Sequence, residues 1–150
     1  MTRRSIAPLI RVEHDKLNRL IDSLREETAV VPRMKLKPWI DKVRDEFEHF
    51  RAHFIKHMAL EEEDGYLEPV LAKRPALAVE VARLKREHEE LVRLMKSIHE
   101  DVDSLQSEDR LLSRDLCRRI EALLSYIEHH EREEDLLLID AVTRDLGSKE

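Results

Sequence analysis

Apolar residues recur at alternating steps of four and three along most of this chain, and they form four seams of helical period. The last is the most informative. Leu116, Ile120, Leu123, Ile127, His130, Glu134, Leu137 and Ala141 fall on one helical face, so the stripe meant for the core carries a histidine and a carboxylate one turn apart. The first seam reads Ile10, His14, Leu17, Ile21, Leu24, opened by Ser5 as N-cap with Pro8 tolerated in the first turn. Pro32 and Pro38 bracket a connector whose second proline can start the next helix, and Leu36 and Trp39 are expected to fold back onto the bundle. The second seam reads Ile40, Val43, Phe47, Phe50, Phe54, His57, Glu61, and Gly65 and Pro69 weaken or end its helix. The third begins near Pro75 and runs Leu77, Val81, Leu84, His88, Leu91, Met95, Ile98, Val102, Leu105, broken only by His88. A polar turn at Ser107, Glu108 and Asp109 caps the fourth helix, and Gly147 marks its end. Each half of the chain is thus a helix with one seam histidine followed by a helix with seam His-x-x-x-Glu, an internal repeat. The pattern predicts an all-α fold, an up-down-up-down antiparallel four-helix bundle.

Composition agrees with this reading. At 150 residues the chain suits a single domain spanning 1–150, and 40% charged residues with only two glycines match long amphipathic helices. The formal charge of −6 comes without a long basic run, which argues against a nucleic-acid or anionic-membrane partner. No apolar stretch approaches the roughly 20 residues of a membrane span, and the start reads as helix rather than signal peptide, so a cytoplasmic location is expected. The single cysteine, Cys117, excludes an internal disulfide and is read as a packing residue.

The chemistry lies in the polar interruptions. With a rise of about 1.5 Å per residue, His14 and His57 fall about 14 and 12 Å from one end of the bundle. His88 and Glu134 fall about 20 Å from that same end, and His130 about 26 Å. One slab of core therefore collects His14, His57, Glu61, His88, His130 and Glu134. A lone seam histidine is ordinarily a satisfied core residue bonded to a carbonyl or water. Two carboxylates are another matter, because burying each ionised group costs several kcal/mol unless positive charge compensates, and no Lys or Arg occupies a seam position. A metal centre answers that cost. Six protein ligands exceed what one four-coordinate zinc takes, so two ions fit better. Imidazoles and carboxylates without thiolate suit iron, manganese or zinc, and opposed glutamates can bridge ions roughly 3.5 to 4 Å apart.

The segments Glu13-His14-Asp15, His57-Met-Ala-Leu-Glu61, Glu87-His88-Glu89 and His130-Glu-Arg-Glu-Glu134 resemble those of the hemerythrin-like domains of the His-His-Glu cation-binding type, over nearly the whole chain. That resemblance implies a cofactor of two iron ions, bridged by Glu61 and Glu134 and by an oxo or hydroxo group, with the four histidines as terminal ligands. It also implies a protein that binds or senses a small ligand such as O2, NO or peroxide. A di-iron redox enzyme consuming those molecules, and an iron-storage or iron-sensing protein, are the alternatives. Ferritin-like di-iron bundles compete less well, since they use Glu-x-x-His rather than the reverse order at i, i+4.

One departure from the oxygen carriers stands out: the fifth histidine expected one turn from His88 is missing, with Leu84 and Val92 in its place. One iron is then less saturated, which favours sensing or redox chemistry over reversible carriage. His53 could fill the gap from just off the seam, whereas His49, His99 and His129 are read as solvated. Glu133 is an alternative to Glu134 in poorer phase, and Glu131 and Asp135 are candidate outer acceptors orienting imidazoles. Tyr66 could line the pocket, whose walls are expected from Leu17, Phe54, Leu84 and Leu91. Apolar residues near Val30 and Trp39 could serve a homodimer.

Overall fold

The computed structural model describes residues 6–65, 67–106 and 109–147, and the side chains from 12 to 140 apart from 63, 64, 66, 107 and 108. Helices α1 (Ile6–Thr28), α2 (Leu36–Asp64), α4 (Ala78–Ser104) and α5 (Arg110–Gly147) are the four expected from the seams. A short helix α3 (Glu68–Lys73) and a 3-10 turn (Pro75–Leu77) lie between α2 and α4. No strand occurs among the described residues. The expected N-cap Ser5, and Ser107 and Glu108 of the polar turn, lie outside the described residues.

Each long helix packs against two others, α1 and α4 both lying between α2 and α5. Directions follow from residue pairs. His14, early in α1, meets Asp135, late in α5, while Arg25, late in α1, bonds Glu121 and Glu128 nearer the start of α5. These two helices are therefore antiparallel. Arg44 of α2 donates to the carbonyl oxygens of Val102 and Leu105, satisfying orphan acceptors where α4 ends. The connector before α2 closes with Lys35 in the left-handed region, φ 56°. As expected, Leu36 and Trp39 pack against the core, and the Trp39 indole N–H donates to the Glu27 carbonyl.

The described seam residues are buried, except that Leu77 and Leu137 are only half-buried. They form two apolar clusters. The larger includes Leu17, Phe47, Phe50, Phe54, Leu91, Met95, Ile120 and Ile127. The smaller is Leu67, Val70, Val81 and Leu84, with Leu71, Leu77, Leu137 and Leu138 against it.

Helix α3 is the one element the seams did not foretell. Gly65 does end α2, in the left-handed conformation at φ 55°, and its N–H bonds the Glu61 carbonyl. Pro69 then sits in the first turn of α3, where a missing N–H costs nothing. The result is a fold-back that lays Leu67 and Val70 over the end of the bundle.

Candidate metal centre

Between the two apolar clusters lies a polar layer. The i, i+4 spacing within α2 and α5 puts each histidine beside its own glutamate: His57 Nε2 is 3.1 Å from Glu61 Oε1, and His130 Nε2 is 2.6 Å from Glu134 Oε1. The antiparallel partners bring in the other two imidazoles. Ring centroids of His14 and His57 lie 4.8 Å apart, and those of His88 and His130 4.7 Å. Two compact groups result, His14 with His57 and Glu61, and His88 with His130 and Glu134, each with potential ligand atoms within 4.8 Å of one another. Glu61 ties them together, for its carboxylate is 4.0 Å from His14 Nε2 and 3.7 Å from His88 Nε2. All six side chains are buried.

Nearly every imidazole is oriented from outside by a carboxylate. His14 Nδ1 is 3.0 Å from Asp135 Oδ1, His88 Nδ1 3.3 Å from Glu62 Oε1, and His130 Nδ1 2.7 Å from Glu87 Oε1. Glu87 is itself held by Arg83, which also bonds Glu133. Asp135 thus has the expected outer role. Glu62 and Glu87 were missed in that role, although both stand next to seam ligands in sequence. Glu131 was expected outside as well, but it faces the inner nitrogen of His57 at 3.7 Å. A heptad stripe of Cys117, Leu124, Glu131 and Leu138 beside the main seam was the signal for its burial.

The remaining candidates point elsewhere. Glu133 turns to Arg83 and to His129. His53 lies 3.4 Å from Glu13, and His99 pairs with Glu48. His49 is exposed, and Tyr66 lies outside the described residues.

Electrostatics show what the layer lacks. Burial opposes ionisation of both central glutamates; the neighbouring Glu134 carboxyl and His57 nonetheless hold Glu61 low, while burial and the Glu61 charge push Glu134 well up. The two carboxyls therefore act as a coupled pair, Glu61 favouring the charged form and Glu134 resisting it. Burial drives Glu131 up to about 8, against the pull of His14. Burial also keeps the His130 pKa low, outweighing Glu87. For His14, burial is overcome by the Asp135 bond and the charge of Glu131, and its pKa rises.

The inner Nε2 atoms of all four histidines, and a Glu61 oxygen, are buried without a hydrogen-bond partner. Such groups are costly unless something else engages them. A cation fits: the lone pairs converge, the donors are imidazole and carboxylate, and outer acceptors on His14, His88 and His130 fix Nε2 as the free atom of those three.

A cleft of about 300 Å³ reaches this layer from solvent. It is lined by Glu61, Glu62, Gly65, Leu67, Lys85 and His88, among others. The exposed Lys85 and Glu68 pair at 3.1 Å in its wall. The four expected pocket walls, Leu17, Phe54, Leu84 and Leu91, do not line this cleft; all four are fully buried in the apolar clusters on either side of the layer.

Fold and site together define a helical bundle with two His-His-Glu groups that could each hold a metal ion. Residues 5–142 match the hemerythrin HHE cation-binding domain, and the chain belongs to that family. No curated protein and no solved structure compared with it gave a match.

Proposed function

We propose that this chain is a non-haem di-iron protein that binds a small ligand such as O2, NO or peroxide. In this reading His14, His57 and Glu61 hold one ion, His88, His130 and Glu134 hold the other, and the two glutamates are shared. The position of Glu61 within 4.0 Å of histidines from both groups is the observation that carries it. Iron is preferred over zinc because the donor set has no thiolate and more ligands than a four-coordinate ion uses, and because of the family.

When bound, an iron pair supplies the electrons by which O2, NO or peroxide is held. The chain's own residues do the rest. Asp135, Glu62 and Glu87 keep the imidazoles turned with Nε2 inward. Leu17, Phe54, Leu84 and Leu91, all fully buried, make the bundle apolar above and below the layer, so that water reaches it by the cleft. The cleft at His88 and Glu61 gives a small molecule a way in. The match over residues 5–142 supports one domain.

That cleft also favours a second reading, an enzyme that consumes peroxide, O2 or NO, because it opens on the histidine that lacks a neighbouring fifth imidazole. Protein prepared anaerobically with supplied iron is expected to retain about two ions per chain, the number two triads can hold. Fewer than one tightly held ion sinks the di-iron reading. Turnover of peroxide or O2 by the loaded protein selects the enzyme, and a stable stoichiometric adduct selects the binding protein.

A further inference from the structure

Three of the four imidazoles follow one rule, with Nδ1 on an outer carboxylate and Nε2 free inside. His57 does not. Its Nδ1 is buried without a partner, and its Nε2 lies 3.1 Å from Glu61 and 3.7 Å from Glu131. Glu131 therefore stands on the inner side of the imidazole, where the ligands are, and not among the outer acceptors. It is only 4% exposed, and neither of its oxygens has a hydrogen-bond partner. Among the described residues no Lys or Arg is seen to pair with it. A carboxylate so placed faces the same desolvation cost as Glu61 and Glu134, and a cation relieves it in the same way.

The internal repeat sharpens the point. Glu131 follows His130 directly, and the equivalent residue after His57 is Met58, buried and apolar. The extra carboxylate thus occurs in one half only. It is delivered across the bundle, from α5 to the His14 and His57 side, while the cleft opens on His88.

We propose that Glu131 is a ligand of the ion held by His14, His57 and Glu61, making the two ions unlike. The ion on the His14 side is then the fuller one, and the ion between His88 and His130 is the one left for an incoming molecule. This rests on the two-ion reading above. Glu131→Gln keeps the volume and removes the charge, and circular dichroism checks its fold.

Stepwise anaerobic Fe2+ titration of the full chain should show the variant losing affinity for one ion by at least about 10-fold, the lower end of what even an outer partner costs, with the other ion retained. Mössbauer spectra of the fully loaded wild type should show two unlike iron sites, one of which changes in the variant. Two ions bound by the variant with unchanged affinity and spectrum overturn the assignment. So does a wild type with two equivalent irons, a result that does not depend on the variant folding. A wild type that holds fewer than one ion takes down the di-iron reading itself, and the assignment with it, while one that holds a single ion overturns the assignment.

Discussion

Glu87 shows how much a single side chain controls from outside the two His-His-Glu groups. Its carboxylate is 2.7 Å from His130 Nδ1 and is pinned by Arg83, so the tautomer that frees Nε2 is set by an ion pair two steps out. Glu87→Ala should weaken metal binding by about 10- to 100-fold, the usual cost of losing an outer partner. Competition against a chelator measures this, and an unchanged affinity means that packing alone orients His130. Cys117 gives a prediction of the opposite kind. Burial pushes its thiol up to about 11, so at pH 8 only about 0.1% is thiolate and alkylation should be slow, rising as pH approaches 11. The sign for stability follows: the folded pKa lies above the unfolded one, so this contribution is complete below about pH 9 and is lost as pH climbs toward 11. Alkylation rates measured across that range check the first part, and denaturation midpoints check the second.

Among the elements, the α2 end and α3 do the most with the fewest residues. Gly65 has φ +55°, and a Cβ there meets Glu68 Cγ at 3.0 Å. Gly65→Ala should therefore destabilise the protein by about 1–2 kcal/mol, the left-handed penalty for an L-residue. Urea denaturation tests it, and a change near zero means that the turn relaxes. The long helices were legible because step-of-three-and-four spacing is a property of one helix read by itself. Even the six candidate ligands could be picked out, since His14 or Glu61 in an apolar seam is an anomaly visible without a partner helix. Helix α3 was not legible, because six residues with a proline carry no period, and its placement depends on what Val70 finds to cover. Nor was the side of His57 on which Glu131 lies, because that is set by how α5 rotates against α2. Glu62 and Glu87 went unassigned for the same reason: each serves a histidine on another helix.

At the level of the whole molecule, the polar layer divides the interior unequally. On one side the three buried phenylalanines and their neighbours make a continuous core, and on the other a small cluster depends on α3 for closure. Removing metal should lower the melting temperature, since folding and metal binding are linked. Hydrogen exchange should then speed up in α3 and the last turns of α2, while amides near Phe47 and Ile120 stay protected. A uniform rise in exchange along the bundle would show that the layer supports both sides equally. The unequal division also bears on the time course of loading. An empty chain whose larger core keeps the seams in register need not refold to accept ions, because reclosing one end suffices. Uptake then runs at the pace of local opening and closing, microseconds to seconds, and not at that of whole-chain folding.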